Sequence, residues 1–339
     1  MPLETIVAGV IIASLILYAL LGGADYGGGV WDLFALGTRA PRQRALIAEA
    51  IGPVWEANHV WLILVIVILF TAFPPAFAAI SIALHIPLTL LLIGIVLRGT
   101  TFTFRSYDVQ RDDVQRRWSL VFSIASIITP VLLGVTLGAI ASGTIRVENG
   151  VVVSGFFNSW LAPFPLAVGF FALSLFAFLA AVYLTVEASE HELQEDFRLR
   201  ALIAGIAVGI LALIVFLLAG TGAPTVRAGI SRSWWALALH LFTGTCAVGA
   251  FYALWTRKYK LARVCAAAQV SLILMGWALA QFPHLVEPDI TIYTAAAPRI
   301  TLRLLLVALA AGVLLLFPSY YYLFRVFKGH TITRSGSSV

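Results

Sequence analysis

Residues 22–32 read GGADYGGGVWD. Five glycines and two aspartates close a long apolar run, and neither residue type suits a helix surrounded by oil. Glycine lowers helix propensity, and a charged side chain at the bilayer centre costs about 2.5–3.5 kcal/mol on insertion scales. The stretch makes sense only if other helices enclose it. Gly23 and Gly27 form a small-xxx-small face that Gly28 and Gly29 extend, and such faces let helix backbones approach closely in lipid. Close approach shields Asp25. A phosphate-binding loop does not fit, because the G-x-G-x-x-G order and the preceding strand are both missing.

The composition supports a bilayer setting. The chain has 339 residues, 61% hydrophobic and only 11% charged, with a mean hydropathy of +0.97; soluble domains carry about 25% charged residues. A spanning helix needs about 20 predominantly apolar residues. Nine such runs are read, with cores at 6–34, 47–72, 76–98, 118–141, 161–185, 201–222, 234–255, 261–282 and 302–326. No run alternates with period two, which argues against a β-barrel. No Lys or Arg precedes the first run and no small-residue cleavage site follows it, so it reads as a retained helix. Cys246 and Cys265 lie in or beside apolar runs and read as buried thiols. The net charge of +6 follows the membrane rather than a soluble face, which sets nucleic acid aside.

With the N-terminus outside, 17 of the 22 Lys and Arg fall on the cytosolic side. The positive-inside rule therefore predicts an N-out, C-in, all-α polytopic protein forming one integral-membrane domain over 1–339. Trp118, Trp160, Trp234, Trp235 and Tyr320 to Tyr322 read as interfacial anchors. The ending GHTITRSGSSV is polar and reads as a mobile tail.

The first cytosolic turn, GTRAPRQR, is centred near Ala40 and Pro41. Residues equidistant from it on the two antiparallel helices should lie at similar depth. Asp25 matches Glu56, and Asp32 matches Glu49. Within each helix the two acids are seven apart, about two turns, and so share a face. The deeper layer lies about 15 Å into the membrane by helical rise. Two readings stand: a proton path from the cytosol, with protonation shifted by burial, or a structural polar contact that includes ion pairs with arginines. Glu56 and His59 are three apart, share a face and are flanked by Trp55 and Trp61. A carboxylate beside a histidine suits proton handling, and a hydrogen-bonded core histidine is the alternative. Pro53 can free backbone carbonyls there.

The remaining polar residues read more plainly. His85 and His240 lie inside spans and read as interhelical hydrogen-bond donors. With only two Met and no paired intramembrane histidines, there is no ligand set for several haems and no metal site is expected. Arg98 and Arg105 read as snorkelling caps at the cytosolic end of the third span. The stretch EASEHELQEDFRLR reads as a solvated helical extension.

GGADYGGGVWDL, then IGPVWEANHVWL, then LRGTTFTFRS closely resemble subunit II of the cytochrome bd-type quinol oxidases, a family that includes the cyanide-insensitive type. The likeness continues through LAPFPLAVGFF and QFP to YYYLFRVFKG, essentially the whole chain. The resemblance implies two four-helix bundles, 1–141 with the acidic hairpin and 161–282, plus one peripheral helix at 302–326. It implies a respiratory terminal oxidase of the bacterial inner membrane that oxidises quinol, reduces dioxygen to water, takes protons from the cytosol and is electrogenic without pumping. It further implies that subunit I ligates haem b and haem d, so that no catalytic residue belongs to this chain. A small single-helix accessory subunit, membrane lipids and a structural quinone are the other partners it suggests. Relatives route protons through the acid after the first Trp of the second motif, here Glu56, where some carry Asp. Trp61 corresponds to a residue near an oxygen access route in some members. Some members have an additional acid where Gly22 stands. Two other readings remain from the residues alone: an ion-coupled secondary transporter, which the lack of an acidic counterpart in the second half opposes, and a purely structural assembly subunit.

Overall fold

The computed structural model describes the backbone of residues 2–107 and 112–329. It describes their side chains except those of 52–56, 102–107, 112–116, 320–321 and 323–329. The expected tail, 330–339, lies outside the described residues, as does the Glu56 side chain.

The first run becomes α1 (Leu3–Leu33). A short turn with Gly37 at φ +80° leads to α2 (Ala40–Ala72), which has a proline in its first turn, where the fixed φ favours helix entry. Phe73 and the two prolines after it end α2, and α3 (Pro74–Ala83) leaves at 118° to it. The expected single span over 76–98 is divided. Pro87 lacks an N–H and its ring crowds the carbonyl four residues back, so the helix breaks at Leu84 and α4 (His85–Tyr107) follows. Then come α5 (Asp112–Ala141), β1 (Val147–Glu148), β2 (Val151–Val152), α6 (Pro163–Glu187), α7 (His191–Gly222) and α8 (Pro224–Arg232). The chain ends with α9 (Ala236–Trp255), α10 (Tyr259–Gln281), β3 (His284–Val286), β4 (Ile290–Thr291) and α11 (Arg299–Gly329). Among the described residues, α1, α5, α6, α7, α9, α10 and α11 are each long and apolar enough to cross a membrane. The bent α2–α3 pair adds an eighth candidate, and His85–Thr101 of α4 is a shorter apolar helix.

The core is built around α1. It packs against α2 and α5 and also lies along α6, with α10 beyond. Next to it α4 packs on α5, α6 on α7, and α9 on α10, whereas α11 touches only the margins of α1 and α2. Between Gly22 and Asp32 only Ala24 and Trp31 are not buried. Helices thus surround this part of α1 on every side.

The two ends of the bundle are tied differently. At the basic end, Arg39 makes a two-point contact with Asp196 (2.9 and 2.7 Å), and Arg42 reaches Glu190 and Glu192. Arg257 and Arg198 both bond Glu195. The stretch EASEHELQEDFRLR is therefore not a free solvated face. Its acids clamp the α1–α2 turn and the α9–α10 turn to the start of α7. Each exposed pair contributes little alone.

At the opposite end, β1 and β2 form a hairpin around Asn149 and Gly150, both with positive φ, the conformation that a two-residue turn demands. Asp289, from the β3–β4 loop, accepts from Arg146 Nε (2.9 Å) and from the Val147 N–H (2.8 Å), joining the two loops. Partial burial pushes the Asp289 carboxyl up, but those two donors more than offset it and hold it below the usual range. A depressed folded value means this tether is present above the unfolded carboxyl range, near 3.9, and is lost as pH falls through the folded value. Asp289→Asn is expected to speed proteolysis within 142–162 at neutral pH. Unchanged cleavage would show that the tether holds nothing.

Candidate functional site

Four glycines of the opening stretch face three different neighbours. A Cβ on Gly27 would stand 2.0 Å from the Phe176 carbonyl oxygen and 2.6 Å from Ala180 Cβ, and one on Gly23 would meet Leu179. All three partners belong to α6. A Cβ on Gly28 would meet Ile51 of α2, and one on Gly29 would meet Ser126 and Phe122 of α5. The glycines thus set the distance from α1 to α2, α5 and α6 at once. Trp31 Nε1 donates to the Ala177 carbonyl (2.8 Å), and Tyr26 stacks on Phe176, fixing the rotation of α1 against α6.

Inside this collar lies Asp25, fully buried, and its partner is Arg98. Arg98 Nη1 donates to Asp25 Oδ2 at 2.7 Å, and Nη2 donates to Oδ1 at 2.6 Å and to the Asp25 carbonyl at 2.9 Å. Nε donates to Ser126 Oγ at 2.9 Å, and Ser126 Oγ in turn donates to the Phe122 carbonyl. The guanidinium sits between the rings of Tyr26 and Phe122, 4.7 and 4.8 Å from their centroids. Asn58 Nδ2 reaches Asp25 Oδ2 at 3.4 Å, and Tyr18 O–H reaches Tyr26. Arg98 is 1% exposed, so the snorkelling expectation is corrected. Arg98 points into the bundle, because a two-point contact with a carboxylate, a serine acceptor and two aromatic faces replace the water it gives up.

The other expected residues are dispersed. Asp32 is 2% exposed and accepts from Ser123 Oγ of α5 at 3.3 Å. Glu49 is exposed, so the two acids of the shallower layer look in different directions. His59 is half-buried and Trp61 is buried within the main apolar core. His85 and His240 are exposed, with Nδ1 against carbonyls three and four residues back, Ile82 and Ala236, and among the described residues neither bonds a helix distant in the sequence. Cys246 and Cys265 are free and half-buried rather than deep in the core. Among the described residues no three His, Cys, Asp or Glu side chains converge to hold a metal ion.

An enclosed glycine helix with an Asp–Arg pair at its centre distinguishes this bundle from a generic one. A sequence model of the family described as cytochrome bd terminal oxidase subunit II matches residues 3–327. The chain belongs to that family. Its relatives include the putative cytochrome bd menaquinol oxidase subunit II of Bacillus subtilis, 22% identical over 94% of this chain and 93% of that one. The cytochrome bd-I ubiquinol oxidase subunit 2 of Escherichia coli is 28% identical over 61% of this chain and 53% of its own length. The structure of bd oxidase from Geobacillus thermodenitrificans superposes with a TM-score of 0.81 at 22% identity, covering 96% of this chain and 99% of that one. At that identity the likeness speaks for the fold. As a bd oxidase subunit II, the chain is a multi-pass membrane component of a haem-containing quinol:oxygen oxidoreductase and stands beside a subunit I.

A Cβ at Gly22 would stand 3.2 Å from Asn58 Nδ2, the same amide that leans on Asp25. Sequence reasoning missed Arg98 and Ser126. Depth alone could have found the first, since Arg98 is nine residues from the end of α4 and Asp25 eight from the end of α1.

Proposed function

We propose that the chain serves as the proton-delivering and scaffolding subunit of an oxidase that oxidises quinol and reduces dioxygen to water, with haem b and haem d held by subunit I. Glu56 is the titrating group of the hairpin, fed from the basic end past Glu49, with His59 beside it and Asp32 on the neighbouring helix. The single observation that carries this reading is the division of α2 into two faces. Ile47, Ile51, Asn58, Trp61, Val65 and Ile68 are buried against the bundle, whereas Glu49, Ile63 and Phe70 are exposed. In the sequence Glu56 follows Glu49 and precedes Ile63 by seven residues, about two helical turns. An exposed stripe that carries the Glu49 carboxyl is costly against hydrocarbon, so subunit I covers this stripe and the path runs between the two subunits. N-out, C-in insertion places the basic end in the cytosol, the source of the protons.

Asp25 takes a different part. Both carboxylate oxygens of Asp25 are engaged by a buried guanidinium, a two-point geometry that favours a structural role over proton carriage for this residue. Trp61, packed in the core, sits one turn from position 58 and is the residue to examine for oxygen access.

The test is Glu56→Gln, which keeps shape and hydrogen bonding but removes the titratable proton. The expected result is an assembled, haem-replete complex whose turnover per haem d falls by about 10²-fold, the lower end of the 10²–10⁴ range for a lost acid–base group. Glu56→Asp should recover much of the rate. Full oxygen consumption per haem in Glu56→Gln would end the proton-path reading.

A further inference from the structure

A cleft of about 470 Å³ opens at the basic end, where the end of α6, the start of α7 and the α9–α10 turn meet. Thr185, Gln194, Arg257, Lys258, Tyr259 and Lys260 are among its lining residues. The charges of this cleft are unequally engaged. Arg257 is bound to Glu195 at 2.7 Å, and that hydrogen bond holds its guanidinium above its usual range. Tyr259 O–H also points at Glu195, and Arg198 supplies a third donor to the same carboxylate. The nearby Glu187 is taken by Arg263 at 3.5 Å. Both carboxylates beside the cleft are therefore spoken for, while Lys258 and Lys260 are exposed and make no ion pair among the described residues. Lys258 Nζ lies 5.9 Å from the Tyr252 ring centroid.

Apolar surface adjoins the two lysines. Tyr252 is 58% exposed, Trp255 73%, Leu261 46% and Val264 65%. Aromatic rings at the end of a span mark the depth of lipid headgroups, and aliphatic side chains on the neighbouring turns of α9 and α10 mark the acyl region. A ligand satisfying both halves has a negative head and a hydrocarbon body. Basic pockets between helices near the membrane surface are suited to such headgroups.

We propose that this cleft binds the headgroup of an anionic phospholipid, with its phosphate between Lys258 and Lys260 and its chains along Tyr252, Trp255, Leu261 and Val264. Arg257 does not contact the lipid; through Glu195 it fixes the turn that presents the two lysines. A soluble phosphate shares the charge chemistry but leaves the apolar flank unused. This inference does not depend on the proton path proposed for Glu56.

The experiment uses the intact oxidase complex in nanodiscs of phosphatidylcholine doped with phosphatidylglycerol, with lipids retained after detergent exchange counted by native mass spectrometry. The wild type is expected to retain phosphatidylglycerol selectively over phosphatidylcholine. Lys258→Gln with Lys260→Gln is expected to lower that retention roughly thirtyfold, the factor expected from about 1 kcal/mol for each lysine near the surface. Arg299→Gln with Arg303→Gln removes the same charge from the opposite end and should leave retention unchanged. Lys258→Arg with Lys260→Arg should preserve retention, and it decides the matter if the glutamine variant fails to assemble. Equal retention of the two lipids by the wild type, or unchanged retention in the glutamine variant, overturns the proposal. So does protection of the lysines from acylation by inorganic phosphate but not by phosphatidylglycerol vesicles.

Discussion

Replacing Gly27 by alanine is expected to remove the assembled oxidase from the membrane rather than to slow it. The new methyl would lie 2.0 Å from a backbone oxygen of α6 and 2.6 Å from Ala180 Cβ. Neither is the far end of a flexible side chain, so relief requires α1 and α6 to part along their length. Overpacking a well-filled core costs about 1–3 kcal/mol and occasionally more, and the Tyr26–Phe176 stack and the Trp31–Ala177 hydrogen bond would be strained together. Gly9 is the internal control, because a Cβ there meets nothing within 4 Å. The measurement is the reduced-minus-oxidised haem spectrum of membranes beside the amount of this subunit. Wild-type haem in Gly27→Ala would show that the helices re-space freely and that the glycines are not needed for contact.

Arg98→Met is the second large effect expected. It leaves Asp25 buried without its cation, and removing one partner of a buried pair costs about 3–5 kcal/mol. The complex should be lost or greatly reduced. Asp25→Asn should be milder than Arg98→Met only where Arg98 can turn to Ser126, the Asp25 carbonyl and the two flanking rings, all of which the variant leaves in place. Replacing both, Asp25→Leu with Arg98→Met, tests the structural reading. Buried ion pairs exchanged for apolar residues of similar volume are often neutral or stabilising, so the double variant should regain assembly and its turnover per haem should match the wild type. Recovered assembly with turnover still absent would return Asp25 to the proton path.

Much of this architecture could be read directly from residue patterning. The acidic and glycine residues of GGADYGGGVWD demanded an enclosed helix, and α1 is enclosed. The turn expected to centre on Ala40 and Pro41 instead occupies 34–39, and those two residues already open α2. The local rules failed where a neighbour distant in sequence decides the outcome. Arg98 looked like a snorkelling cap because its own helix offers a nearby interface; Asp25, Ser126, Tyr26 and Phe122, from two other helices, turn it inward. The acids of 187–196 looked solvated because, Arg198 apart, the arginines that bind them lie far away in sequence, at 39, 42, 257 and 263. Two local signals were passed over: Pro87, which divides the third span, and Asn149–Gly150, which makes the hairpin. Matching Glu49 to Asp32 by depth ignored direction, since depth says how far a residue lies along a helix axis and not which way it points.

The Asp25–Arg98 pair also has a meaning in time. Its partners are 73 residues apart in the chain, and synthesis proceeds at about 5–20 residues per second. Asp25 therefore waits roughly 4–15 s at those rates for its cation to emerge. During that interval a helix carrying an aspartate must be held by the insertion machinery or carry its proton. Arrival of α4 closes the pair, before α6 has been made. The glycine surface that α6 will cover remains bare at that stage, so the first part of the chain awaits the second with its charge already neutralised and its docking face still open.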